Sequence, residues 1–331
     1  MDNQKYTVSS TPHILSGDSI EKIMRDVLIA LAPAALAGIY FFGIRALMLI
    51  ILSIAACVFF EGMYQKITKQ PVTVTDLSAA VTGLLLAMNL PAAAPFWIPI
   101  VGAFFAIIIA KQLFGGLGQN FINPALAGRA FLLASYPAEM TAWTEPVRNF
   151  FNLGTDAVSS ATPLSLMQNG VDSISSATPV VDVTDLILGN TAGCLGETCA
   201  IALILGGCYL LYKKVISWHI PAVYILTVFV LSYVLGRDGF MTGDPVFEIF
   251  AGGLMLGAIF MATDYSSSPT TPTGQLIMGF GCGLMTVIIR VYGGYAEGVS
   301  YSILLMNLAA PLIERYTKPR VFGKKGATKN A

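Results

Sequence analysis

Between Pro137 and Glu197 the chain carries a run of small residues that ends in a threonine, Asp156-Ala-Val-Ser-Ser-Ala-Thr162, and continues as Pro163-Leu164. A hydroxyl in such a segment can lie extended in the cleft of a modifying enzyme, where its oxygen can be esterified. The plainer reading is a solvent-accessible Ser/Thr-rich loop. Sixteen residues on, Asp172-Ser-Ile-Ser-Ser-Ala-Thr178 repeats the pattern, but it runs on into Val180-Val181 instead of Leu-Ser-Leu.

A second set of polar residues lies where the surroundings are apolar, and polar groups in hydrocarbon are costly enough to suggest a function. Asn120 and Asn123 lie at the start of the span that opens with Pro124, and Arg129, one and a half helical turns further on, reads as a partner for a bound group or as a member of an internal ion pair. The asparagine amides offer paired donor and acceptor atoms, or they cap a helix that starts at Pro124. Glu61, Asp76 and Asp264 stand at the ends of apolar stretches. There a carboxylate can take up a desolvated Na+, or merely cap a helix.

Other chemistry is excluded by residue supply. Structural zinc and iron–sulfur sites need about four clustered Cys or His ligands. This chain has five cysteines and two histidines, and only Cys194 and Cys199 are close in sequence. Those two read as small buried residues or as a disulfide, and no metal site is expected. No Gly-x-Gly-x-x-Gly fingerprint follows a strand. The 19 basic residues balance 19 acidic ones, which removes any argument from net charge for nucleic acid as a partner.

These residues must be held by a membrane-embedded scaffold. The 331 residues are 55% hydrophobic and 11% charged, with a mean hydropathy of +0.70, whereas soluble domains carry about 25% charged residues. Apolar stretches near bilayer length run over 27–42, 44–60, 77–90, 96–110 and 124–136, then over 198–212, 216–235, 246–262, 276–291 and 299–312. The polar first 22 residues contain no small-residue cleavage site after a short apolar core, so the first span is expected to direct insertion. Several spans are short, which predicts tilted or broken helices buried among neighbours.

The two sets repeat one another. Gly83-Leu-Leu-Leu-Ala-Met-Asn89 aligns with Gly257-Ala-Ile-Phe-Met-Ala-Thr263, Pro95 with Pro272, Gly102 with Gly279, and Gly115-Gly116 with Gly293-Gly294. Five spans per copy force the second copy to enter upside down. The expected fold is therefore an all-α integral membrane protein of about ten transmembrane helices in two inverted five-helix repeats. Its parts are residues 1–136 (tail and first repeat), 137–197 (a long acidic loop), 198–314 (second repeat) and 315–331 (a basic tail). With both termini in the cytoplasm, 14 of the 19 basic residues fall inside and four outside, as the positive-inside rule requires. The long loop then lies outside.

At these residues a family resemblance becomes specific. Asp156-x-x-Ser-Ser-Ala-Thr162 resembles the Asp-x-x-Ser/Thr-Gly-Ala-Thr signature at which a flavin transferase esterifies FMN to the final threonine, with Ser160 replacing the usual glycine. With Pro163-Leu164, it resembles the RnfD family, the membrane D subunits of the Rnf ion-translocating complex. That family is related to the B subunit (NqrB) of the sodium-pumping NADH:quinone reductase. Gly115-Gly-Leu-Gly-Gln-Asn-Phe-Ile-Asn-Pro-Ala125 through Gly128-Arg129, Phe260-Met-Ala-Thr-Asp264 through Thr270, and Glu297-Gly-Val-Ser-Tyr-Ser-Ile-Leu-Leu-Met-Asn307 resemble further family stretches. The resemblance covers nearly the whole chain.

The resemblance implies an electron-relay subunit of a ferredoxin:NAD oxidoreductase that exports Na+ or H+. FMN would be bound covalently at Thr162, in preference to Thr178, and the fold would be similar to that of urea channels. It also implies a second, non-covalent flavin (riboflavin or FMN) bordered by Asn120, Asn123 and Arg129, and an ion path past Asp264, Asp76 and Glu61. The implied partners are the other membrane, flavin and iron–sulfur subunits and a flavin transferase. The implied location is the cytoplasmic membrane. The rival reading is an inverted-repeat channel for a small neutral solute.

Overall fold

The computed structural model describes residues 19–146, 160–168, 182–236, 239–295 and 297–318. Asp156 and Thr178 lie outside the described residues. The chain is mostly helical, and every apolar stretch expected from the sequence contains helix. Helix α1 (Ile20–Phe42) is capped by Ser19, whose side chain accepts from the Lys22 amide at 3.2 Å. Gly43 alone, at φ 72°, separates α1 from α2 (Ile44–Ile67). Then follow α3 (Ser78–Met88), α4 (Trp97–Phe104) and α5 (Pro124–Ser135). Helix α4 continues through a π-helical turn, Phe105–Ile109, and a 3-10 turn, Gln112–Phe114.

The connecting segment contributes three short helices, α6 (Pro137–Met140), α7 (Pro163–Gln168) and α8 (Val183–Leu188). The remainder comprises α9 (Ala200–Tyr212), α10 (His219–Val234), α11 (Pro245–Phe250), α12 (Leu254–Leu256), α13 (Pro272–Tyr292) and α14 (Val299–Thr317). Helix α12 runs into a second π-helical turn, Gly257–Met261. A two-residue hairpin, β1 (Leu235–Gly236) with β2 (Gly239–Phe240), follows α10.

Among the described residues, four helical segments are long and apolar enough to cross a membrane: Ile20–Phe42, Ile44–Ile67, Trp97–Phe114 and Pro272–Tyr292. Helices α3, α9 and α10 are apolar but shorter. The 11 residues of α3 rise only ~16 Å, short of a ~30 Å hydrocarbon layer. Its free carbonyl end is satisfied by another part of the chain. The amides of Leu195 and Gly196 donate to Leu90 O (3.0 Å) and Met88 O (2.7 Å), so the segment before α9 completes what the helix lacks. Arg45 secures the Pro91–Pro95 break beyond it, donating to the carbonyls of Ala92, Ala93 and Ala94 at 2.9–3.1 Å. Its guanidinium also lies over the Phe96 ring.

The two sets of helices meet where α1 packs on α9. Gly38 lies against Leu195 O and Gly206 against Ala30 O, while the Tyr209 hydroxyl donates to Asp26 at 3.0 Å. As numbers fall along α1 they rise toward and along α9, so these two helices run antiparallel. Within the first set α2 packs on α4, and within the second α10 packs on α13.

A Cβ built on Gly206 would lie 2.1 Å from Ala30 O, backbone that cannot step aside. Gly206→Val is therefore expected to cost at least the 1–3 kcal/mol typical of overpacking, roughly. It should lower the thermal midpoint of the detergent-solubilised chain, whereas Gly294→Ala, which meets open space, should not.

Candidate functional site

Two polar centres lie toward opposite ends of α1. Met24 and Val27 border one, while Gly38 touches Leu195, next to the Cys194 of the other. At the second centre Arg129, on α5, is buried with 5% exposure. It donates to Asn89 Oδ1 at 2.8 Å, contacts Cys194 Sγ at 3.7 Å, and is ion-paired with Glu297. Glu197 lies 3.8 Å away. Each partner comes from a different break in the helices: Asn89 from the end of α3, Cys194 and Glu197 from the segment before α9, and Glu297 from the turn before α14. The Cys194 amide donates to Glu197 Oε2 at 3.3 Å, and its thiol to Asn89 O at 3.2 Å. Burial, with Glu297 beside it, pushes the Glu197 carboxyl up to about 8.

Thr162 stands directly over this group. It lines a cleft together with Thr191, Glu197, Thr198, Phe250 and Glu297. The sequence leads one to expect a solvent-accessible hydroxyl in a loop, but the residue is 4% exposed. The reason is local. Thr162 opens α7, where its Oγ1 accepts from the Ser165 amide at 3.2 Å and its carbonyl from the Ser165 hydroxyl at 2.8 Å. Leu164 then anchors α7 in an apolar cluster with Leu186 and Phe247. Gly252, at φ 71°, lets the break between α11 and α12 pass beneath, and a Cβ there would lie 2.6 Å from Leu164 Cδ1. Behind it Arg290 is buried and bonded to Glu248 Oε2 at 2.8 Å and Ala251 O at 3.1 Å.

The other centre is a cavity whose lining includes Ser78, Thr82, Lys111, Asn120, Asn123 and Asp264. Asn123 caps α5, its Oδ1 accepting from the Ala125 and Leu126 amides at 3.0 and 3.3 Å, and its Nδ2 donating to Met261 O at 3.1 Å. Asn120 donates to Ile122 O and, at 3.5 Å, to Asp264. Asp264 also accepts from Ser266 and Ser267. Burial raises its carboxyl above the usual range, against the pull of those hydrogen bonds. Asp76 accepts from the Ser78 hydroxyl at 2.6 Å, Ser78 accepts from Lys111 Nζ at 2.7 Å, and Lys111 pairs with Glu61 at 2.8 Å. Gln112 adds a second donor to Glu61 Oε1, while the buried Oε2 has no partner.

The structure thus gathers Asn120, Asn123, Asp264, Asp76 and Glu61 at one end and removes Arg129 from them. Six residues of helix advance ~9 Å, and the guanidinium turns to the carboxylates at the far end. Lys111, counted among the cytoplasmic charges that orient the chain, is 2% exposed and internally paired. The five cysteines are free thiols, so Cys194 and Cys199 form no disulfide. Sequence reasoning missed Glu197 and Glu297 as site residues. The available signal was a carboxylate at the entry to each of two apolar stretches, Glu197 before 198–212 and Glu297 before 299–312.

A family model described as the NQR2, RnfD, RnfE family matches residues 7–323. The chain is 51% identical to the D subunit of the Na(+)-translocating ferredoxin:NAD(+) oxidoreductase complex of Acetobacterium woodii, over all of this chain and 99% of that protein. It is 46% identical to the D subunit of the proton-translocating ferredoxin:NAD(+) oxidoreductase complex of Clostridium ljungdahlii, over 97% of each chain. It is also 38% identical to the D subunit of the ion-translocating oxidoreductase complex of Yersinia pseudotuberculosis, over 97% of this chain and 99% of that one.

Proposed function

The chain belongs to the NQR2, RnfD, RnfE family, and from that premise we propose that it is the membrane D subunit of an ion-translocating ferredoxin:NAD oxidoreductase complex. In this reading it relays electrons through an FMN esterified to Thr162. The observation that carries the flavin assignment is the position of Thr162 on a cleft that Thr191, Gly193 and Phe250 also line. When bound, FMN supplies one-electron chemistry. The chain would position it: α7 would hold the attachment point and Phe250 would flank the cleft.

The proposed scaffold is ten membrane spans in two inverted repeats, urea-channel-like, with both termini in the cytoplasm and the 137–197 segment outside. The antiparallel α1–α9 contact and the matching α2–α4 and α10–α13 pairs support it. Glu61, Asp76 and Asp264, around the cavity at the terminal end, are the proposed ion-path carboxylates, for Na+ or H+. The remaining Rnf subunits and a flavin transferase are the proposed partners. Asn123 spends both amide atoms on the protein and so does not fit the edge of a second, non-covalent flavin. No step is routed through one.

The intact mass of the purified chain tests this reading. One FMN less one water should be added to the polypeptide mass, with peptide mapping placing it at Thr162. A bare polypeptide mass would favour a channel for a small neutral solute. Reporters near Gly170 and after Lys318 should then report opposite sides of the membrane.

A further inference from the structure

We infer that Glu197, Glu297 and Arg129 form a buried binding site for one exchangeable proton, shared between the two carboxyl groups beneath the Thr162 cleft. The inference does not rest on the flavin assignment. It begins with charge. Two carboxylates face one guanidinium, and among the described residues the other groups facing them are neutral or already balanced: the Cys194 thiol, the Asn89 amide, the Gly252–Gly253 backbone, the Tyr301 phenol on α14, and Arg290 with its partner Glu248. One negative charge is left over in a group whose side chains are 6%, 7% and 15% exposed. An uncompensated buried charge is far costlier than a paired one.

Hydrogen bonding points to the same missing particle. Glu197 Oε1 and Glu297 Oε1 are both buried without a hydrogen-bond partner. One oxygen of each carboxylate and Cys194 Sγ lie within 4.8 Å of one another. Ionised carboxylates only accept, so two of them cannot satisfy each other. A proton on one supplies the O–H donor that the other needs. Like charges this close also disfavour double ionisation, in accord with the raised carboxyl of Glu197. The fixed charge of Arg129 inside the group opposes a metal cation and leaves a proton as the fitting occupant. Both carboxylates line the cleft, which gives that proton a route to solvent.

Infrared difference spectroscopy of the full-length chain in phosphatidylcholine vesicles, titrated with acid and base, tests this. The wild type should show a protonated-carboxyl band of one group per chain that persists above the ordinary carboxylate range and is lost as the pH is raised further. Glu197→Gln and Glu297→Gln should each abolish it, since the remaining carboxylate pairs with Arg129 and ionises. Glu297→Asp, which keeps a carboxyl in place, should shift the band without removing it, and this reads out the site even if a glutamine variant folds poorly. Lys66→Gln, at an exposed helix end, should leave the band unchanged. Absence of any titrating band, its persistence in both glutamine variants, or its collapse on adding sodium at constant pH would overturn the proposal; the last would make the occupant a metal cation.

Discussion

Thr162→Ala should produce a chain that inserts and folds normally but carries no covalent flavin, a complete loss of fluorescence in a denaturing gel. The expectation of normal folding comes from the site's geometry. Thr162 Oγ1 caps one short helix by a single hydrogen bond to the Ser165 amide, and replacing such a cap by alanine costs roughly 1 kcal/mol. The Ser165 hydroxyl bond runs to the Thr162 carbonyl and survives the change. Leu164 keeps α7 anchored on Leu186 and Phe247. Loss of flavin without loss of protein would separate attachment from stability. Thr162→Ser, which retains a hydroxyl, should retain some of the signal. A band of full intensity in the alanine variant would move the attachment to another hydroxyl, such as Thr178.

The apolar stretches made most of the helical scaffold legible. The single-residue joint at Gly43 and the start of α5 at Pro124 were visible in residues, because a break in hydropathy and a proline at N1 are local signals. The subdivision of 246–262 into α11, a glycine break and α12 was not. An apolar run looks the same whether it is one helix or two half-helices, and only the burial of Arg290 against the Glu248 and Ala251 carbonyls explains the break. The candidate sites divide in the same way. Asn123 as a helix cap follows from its position before Pro124. Arg129 bonding to a glutamate 168 positions away does not, because no local pattern records which of several carboxylates a buried guanidinium will face. Thr162 was singled out for its neighbours in sequence, while its burial depends on helices α8 and α11, which the sequence pattern does not connect to it.

Arg129→Gln is expected to be the most damaging single change outside the glycine contacts. Removing one partner of a buried ion pair costs about 3–5 kcal/mol, because the other charge stays behind without compensation. Here one ionised carboxyl and the neutral one that shares its proton are left, in a place where three breaks in the helical scaffold meet: the end of α3, the segment before α9 and the turn before α14. Asn89 Oδ1 would also lose its 2.8 Å donor. Glutamine can replace one hydrogen bond but neither the charge nor the reach to both Glu297 and Asn89. The loss should appear as a large drop in the thermal midpoint of the purified chain and in its yield from membranes. Lys66→Gln, at an exposed helix end, should stay within about 0.5 kcal/mol of wild type. A charge-based cause makes a further demand. Adding Glu197→Gln and Glu297→Gln to Arg129→Gln removes the stranded carboxyl groups and should recover much of the stability, although it contains three substitutions instead of one. If the triple variant were less stable than the single one, the defect would lie in lost packing around Arg129, and the electrostatic account of this cluster would have to be given up.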